Sequence, residues 1–179
     1  MLAWDINAHM PRISKDKSVE LFAACNPLLL LRNKKKKKKT IPLNLHFSLA
    51  ERILVVSGPN AGGKSVLLKT VGLLQLMFYA VLLVPVADNS IMSVFSNFFV
   101  DIGDEQSIEN DLSTYSSHLR NMRYFTEFAN NKTLLLIDEF GAGTDPMLGG
   151  AIAEAILEHL IRKFCYGIIT THYANLKVF

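Results

Sequence analysis

The sequence predicts an α/β fold with a mainly parallel central sheet flanked by helices and an antiparallel strand part near its N-terminal end. Three observations point there. "ILVV" (residues 53–56) and "TLLLI" (133–137) are unbroken apolar runs, as expected for strands covered on both faces of a parallel sheet. From residue 53 onward such runs alternate with segments of helical period, and strand–helix–strand alternation is how parallel sheets are wound. Between the first run and a long apolar helix lies a glycine-rich turn, "SGPNAGG" (57–63). Such a backbone is costly unless something must approach it closely.

Taken in order, residues 1–25 read as helical and then irregular, with Pro11 breaking the pattern. "ACNPLLLLRN" reads as a short strand. The lysine run at 34–39 reads as a solvated hairpin loop, since like charges hold such a run open. "IPLNLHFSL" alternates Ile41, Leu43, Leu45, Phe47 and Leu49 with smaller or polar residues, a strand with one buried face. After the strand at 53–56 and the glycine turn, a helix is expected over about 64–82, ended before Pro85. "SVFSNFFVDIG" offers another strand. "STYSSHLRNMRYFTEFAN" opens on Ser and Thr and carries Leu119, Met122, Phe125 and Phe128 at helical spacing. "TLLLIDEFG" is the next strand. "DPMLGGAIAEAILEHLIRKF" is a second strong helix with Pro146 in its first turn and Ile152, Ala153, Ile156 and Leu160 as its stripe. "YGIITTHY" is the last strand. No closing helix follows before Phe179, which predicts a fragment of a longer protein.

The 179 residues suit one domain, and at 50% hydrophobic they can bury a sizeable core. The net charge of +3 comes from the lysine run, and the rest of the chain is slightly acidic, so global basicity does not argue for nucleic acid. Cys25 and Cys165 lie far apart without metal-ligand spacing, as expected of buried thiols in a reduced cytoplasmic protein. No secretory leader is visible in the first eleven residues. The apolar stretch 66–84 carries Lys69 and Gln75, which favours a buried core helix over a membrane span.

The glycine turn matches G-x-x-x-x-G-K-[ST] in Gly58, Pro59, Asn60, Ala61, Gly62, Gly63, Lys64 and Ser65, with an apolar strand before it and a helix after. Backbone amides of such a loop and of the helix start can all face a polyphosphate, and the glycines let the backbone approach. Lys64 would meet the β- and γ-phosphates, and Ser65 would offer its hydroxyl to Mg²⁺. Asp138 follows a buried strand, so its carboxylate is expected at the C-terminal sheet edge, holding Mg²⁺ through water. Glu139 would polarise the attacking water. His172, after the last strand, is placed to hydrogen-bond the γ-phosphate or that water.

Together these residues resemble the ABC-type ATPases, and more closely the MutS family of DNA-repair ATPases. "GPNAGGKS" has the MutS-like loop, "DEFGAGTDP" resembles the family's acidic strand end and D-loop, and "TTHY" its switch histidine. "STYSSH" resembles the Ser-Thr-aromatic signature. "DEQSI", "LKTVGLLQLM" and "NLK" look like the second bacterial branch, whose full-length members carry a C-terminal Smr nuclease domain. The resemblance covers about residues 26–179. It implies a P-loop NTPase fold of ABC-ATPase type over 26–179, truncated at its C-terminal end, and over 1–25 the end of a helical core or lever region. It implies ATP and Mg²⁺, hydrolysis to ADP and phosphate, and a bacterial cytoplasmic location. It implies a head-to-tail homodimer with composite sites, in which Ser113 and Thr114 contact the nucleotide of the partner and Asp145 shapes the contact. Asn60 would help position the γ-phosphate or water, and Gln106 is a candidate sensor of metal or water. Branched or mismatched DNA, or stalled ribosomes, would be engaged through regions absent here, with no membrane involved and no nuclease site in this chain. Read from the residues alone, Ser113-Thr114 is a helix N-cap.

The chain departs from the family pattern at Asn26, where His often precedes the proline, at Val81, where glycine is common, and in the lysine run. Two other readings compete. A transporter's nucleotide-binding subunit usually shows Leu-Ser-Gly-Gly-Gln, but here Leu112-Ser113 runs into Thr114-Tyr115-Ser116. A non-catalytic nucleotide-binding fragment would keep the loop and turn nothing over.

Overall fold

The structure is a computed structural model that describes residues 2–59, 62–103, 111–173 and 175–177. They fall into two compact units: Met1–Glu51 with Val66–Val94, and Arg52–Ser65 with Phe95–Phe179.

The second unit holds four strands, β4 (Ile53–Ser57), β6 (Asn97–Asp101), β7 (Thr133–Ile137) and β8 (Tyr166–Thr171). They form one sheet in the order β4-β8-β7-β6, and every pairing is parallel, as the alternation predicts. Helix α4 (Asp111–Phe128) joins β6 to β7, and α5 (Pro146–Arg162) joins β7 to β8. Every residue of β7 and β8 is buried, because both strands have neighbours on either side. β4 is less buried than its unbroken apolar run suggests, with Leu54 exposed, because it lies at an edge of the described sheet.

One face of this sheet presents Leu135, Ile137 and Ile169 to Met122 and Phe125 of α4, to Ala129 just after it, and to Ala153, Leu157 and Leu160 of α5. Each of the larger of these side chains contributes roughly 1.5–3 kcal/mol by leaving water. Half of each expected stripe reaches the core, Met122 and Phe125 in α4 and Ala153 and Leu160 in α5. Leu119 and Phe128 are exposed while Met122 and Phe125 are buried, and in α5 Gly149, Gly150 and Leu157 are buried while Ile152 and Ile156 are partly covered.

The first unit carries a mixed sheet in the order β1-β5-β2-β3, from β1 (Arg12–Ile13), β2 (Val19–Ala24), β3 (Leu43–Phe47) and β5 (Ile91–Met92). The pairings β2–β3 and β2–β5 are antiparallel and β1–β5 is parallel, so the expected antiparallel strand part is present. Helix α1 (Leu2–Asp5) matches the expected helical start, but the irregular reading of the residues after it misses β1 and β2. The strand expected in "ACNPLLLLRN" is instead helix α2 (Pro27–Lys35). Asn26 is its N-cap, accepting the amides of Leu28 and Leu29, and Pro27 opens the first turn. The leucines supply no β-branched residue to oppose a helix. The lysine run then closes α2 rather than forming a hairpin: the amides of Lys36, Lys37 and Lys38 return to the carbonyls of residues 32–34, and Lys37 takes a left-handed φ of 53°. Helix α3 (Lys64–Tyr79) is shorter than expected, and among the described residues no helix is long and apolar enough to cross a membrane. Its polar Gln75 is buried and donates to the Ser93 carbonyl at 2.9 Å, so the helix interior tolerates it.

Candidate functional site

Parallel register gathers the predicted motifs at one sheet edge. Ser57 pairs with Thr171, Ile137 with Ile169, and Asp101 with Ile137. The segments that begin at Gly58, His172 and Asp138 therefore leave three adjacent strands at their C-terminal ends, the edge where open α/β sheets bind ligands.

The loop after β4 needs glycine for conformation. Gly58 has φ 150° and Gly63 φ 86°, and a Cβ at either would meet no atom within 4 Å. The space is open, whereas Gly149 of α5 is pressed against the Tyr173 hydroxyl, which would lie 2.5 Å from a Cβ. Glycine at the loop thus leaves backbone accessible, and glycine in α5 serves packing. Gly62 donates to the Pro59 carbonyl at 3.0 Å, which turns the chain into α3. Lys64 is the first residue of α3, is only 5% exposed, and donates its ammonium to the Gly58 carbonyl. Ser65 beside it is partly buried. Asn60 and Ala61 lie outside the described residues.

Asp138 is buried and anchored on two sides. Its amide donates to the Asp101 carbonyl at 2.8 Å, and its Oδ1 accepts the Thr170 hydroxyl and, at 3.2 Å, the Glu139 amide. The Glu139 amide also reaches Thr170 Oγ1 at 2.9 Å. Glu139 itself adopts φ 49°, a left-handed conformation uncommon outside glycine. The turn is fixed further by the Phe140 amide on the Thr170 carbonyl and by the Thr171 hydroxyl on the Phe140 carbonyl. His172 is exposed at the end of β8.

Asp145 caps α5, accepting the amides of Met147 and Leu148 at 3.0 and 3.1 Å, with both of these apolar side chains exposed. Ser113 and Thr114 lie within the first turn of α4, which already runs from Asp111, so they do not form its N-cap. Their side chains, like Gln106, lie outside the described residues.

Thr170, Tyr173 and Asp101 were not foreseen. Tyr173 donates its hydroxyl to the Gly141 carbonyl at 2.9 Å and ties the segment after β8 to the turn after β7. Asp101 had a signal: like Asp138 it ends an apolar strand, "NFFVD". Thr170 had none, because a threonine inside a buried strand reads as β-propensity.

The residues available fit a cation-bearing polyphosphate in their chemistry. They comprise an accessible glycine loop at a helix start, a nearly buried ammonium, and a buried carboxylate whose hydrogen bonds both fall on Oδ1. The family model described as MutS domain V matches residues 54–179. The chain is 47% identical over 99% of its length to an Endonuclease MutS2 from Thermomicrobium roseum, covering 23% of that protein. It is 45% identical over 96% of its length to an Endonuclease MutS2 from Caldanaerobacter subterraneus subsp. tengcongensis, covering 21% of it. It is 43% identical over 99% to the one from Brevibacillus brevis, covering 22%. It thus spans about a fifth of the length of the curated relatives it matches. With domain V matched from the first strand of the parallel sheet onward and such relatives along nearly its whole length, the chain belongs to the MutS family, on its MutS2 branch.

Proposed function

We propose that this chain is the ATP-binding and ATP-hydrolysing part of its protein, with the P-loop NTPase fold of ABC type. The observation that carries the reading is Lys64: a nearly buried ammonium at the head of α3, beside glycines with open space, on the edge that also bears Asp138 and Glu139. A buried cation is costly without an anion or strong acceptors around it. Here it would exchange the Gly58 carbonyl for the β- and γ-phosphate oxygens of ATP.

The amides of Gly58 and of 60–65 would donate to those oxygens, Pro59 having none to offer, with Asn60 orienting the terminal phosphate. Ser65 and Asp138 would hold Mg²⁺, the latter through Oδ2 and a water. When bound, Mg²⁺ neutralises charge on the phosphate oxygens. Glu139 would take the proton of the attacking water, and its left-handed turn fixes where its side chain departs from the edge. His172 would hydrogen-bond the terminal phosphate or that water, and Gln106 would sense metal or water. A second copy, docked head to tail, would supply Ser113 and Thr114 to complete the site, with Asp145 shaping the contact. The whole protein would act on branched or mismatched DNA, or on stalled ribosomes, through segments outside this chain.

Calorimetry of the chain with ATP and Mg²⁺ tests the reading. Heat of binding is expected from the unsubstituted chain and none from Lys64→Ala. Glu139→Gln should bind as well as the unsubstituted chain and hydrolyse about 10²–10⁴-fold more slowly, the usual worth of a positioned base. No heat from well-folded unsubstituted chain would overturn the proposal.

A further inference from the structure

We propose that Asp101 is a positioning residue for this site, clasping helix α4 to the sheet edge that carries Asp138 and Glu139. The inference rests on the ATPase reading and adds to it a residue that does not touch the nucleotide.

Asp101 is the last residue of β6, and its side chain is 9% exposed. Burying a carboxylate is expensive unless its oxygens are met by donors. Both are met from one helix: Oδ2 by His118 Nδ1 at 2.7 Å and Oδ1 by Asn121 Nδ2 at 2.9 Å. His118 and Asn121 stand three positions apart on α4, the spacing that puts two side chains on the same face. The main chain of Asp101 looks the other way and accepts the amide of Asp138 at 2.8 Å. One residue therefore joins α4 to the segment that carries the metal-binding acid and the general base.

The packing of α4 does not do this by itself. Met122 and Phe125 bury an apolar face, and apolar contact is non-directional, so it tolerates small rotations and slides of the helix. Two hydrogen bonds to one fixed carboxylate remove both freedoms. The clasp at His118 sits about one turn beyond positions 113 and 114, so it sets the height and rotation of the helix start that a second copy would use. A buried charged group adds little net stability over an apolar replacement, and what it supplies is geometry.

The test compares the unsubstituted chain with Asp101→Asn, which keeps shape and removes charge, with His118→Gln, and with the double variant. Three readouts are taken: affinity for ATP with Mg²⁺ by calorimetry, kcat, and amide hydrogen exchange without nucleotide. Each single variant is expected to bind ATP within about twofold of the unsubstituted chain while kcat falls at least about tenfold, the pattern of a lost transition-state arrangement. The double variant should be no worse than the poorer single one, because the pair acts as a unit. Without nucleotide, amides in the first two turns of α4 should exchange about tenfold faster, with β7 and α5 unchanged. The proposal is overturned if kcat stays within twofold, or if exchange rises equally across β7 and α5, which marks general loosening. Should Asp101→Asn not fold, His118→Gln carries the same test, since it leaves the carboxylate and the Asn121 bond in place. If the unsubstituted chain neither binds nor hydrolyses ATP, the ATPase reading fails, whereas the exchange measurement still judges the clasp.

Discussion

At the scale of single residues, the acidic pair is held by a threonine. The Thr170 hydroxyl donates to Asp138 and accepts from the Glu139 amide, at a residue whose φ of 49° strains the backbone. Thr170→Val keeps the volume and removes both bonds, so the buried Asp138 carboxylate and the part-buried Glu139 amide each lose one partner. A loss of about 1–3 kcal/mol is expected, read as a lower Tm. Hydrolysis should fall more than ATP affinity, because the turn that aims Glu139 loosens. Cys165 gives a second expectation. Burial, its largest cause, pushes its thiol pKa up to about 12, and the thiol donates to the Leu160 carbonyl at 3.0 Å. A raised pKa favours the neutral thiol in the fold. Its contribution is whole below pH 9.0, the thiol's ordinary value, and is lost as pH rises through about 12. At pH 8 a thiol reagent should therefore label Cys25, which is only partly buried, and reach Cys165 only after unfolding. The place of Asp138 and Glu139 at the end of a buried strand was legible because an apolar run pointed at them. Thr170 was not, because its value lies in what the neighbouring strand places opposite it.

At the scale of elements, α5 shows what periodicity leaves out. The sequence puts Ile152, Ala153, Ile156 and Leu160 on the core stripe; Ala153 and Leu160 are buried there, but the helix also turns its glycines and Leu157 inward and leaves Ile152 and Ile156 only partly covered. The cause is Tyr173. Its ring and hydroxyl occupy the space beside Gly141, Gly149 and Gly150, and its bond to the Gly141 carbonyl fixes it there. Glycines carry no hydrophobic signal, so a stripe counted from large residues misses a face designed for close approach. Gly149→Ala is expected to destabilise although alanine is the better helix former. Its Cβ would lie 2.5 Å from the Tyr173 hydroxyl, 2.8 Å from the Gly141 carbonyl and 2.9 Å from Thr144. One of those obstacles is backbone, which does not rotate away. A loss of about 1–3 kcal/mol follows from overpacking, measured by denaturant melting. A gain in stability would show that helix propensity outweighs the contact.

At the scale of the whole chain, the parallel sheet was readable because its strands are continuous apolar runs separated by strong helices, so local pattern and long-range pairing agree. The first unit was readable only in part: α1, β3 and an antiparallel strand part were expected, whereas β1, β2 and β5 were not. β1 and β5 have two residues each, β2 is irregular at Ala23 with φ 48°, and Arg12 pairs with Ile91 across most of the unit's length. Strands that short exist only through partners far away in sequence, and no window of residues contains them. The same dependence on what lies outside a segment governs the last expectation. Met147 and Leu148, at the Asp145-capped start of α5, are 87% and 56% exposed, an apolar pair with no cover among the described residues. A composite site would bury such a pair between copies, and burying it stabilises the contact by a few kcal/mol, about 25 cal/mol per Å² of apolar surface. ATP hydrolysis per chain should then rise with chain concentration and level off once copies are paired. Leu148→Asp, which leaves the phosphate loop and both acids untouched, should move that rise to at least tenfold higher concentration while nucleotide affinity stays unchanged. A rate per chain that is flat over a hundredfold range of concentration would mean that one copy completes its own site, and that the exposed pair faces something else.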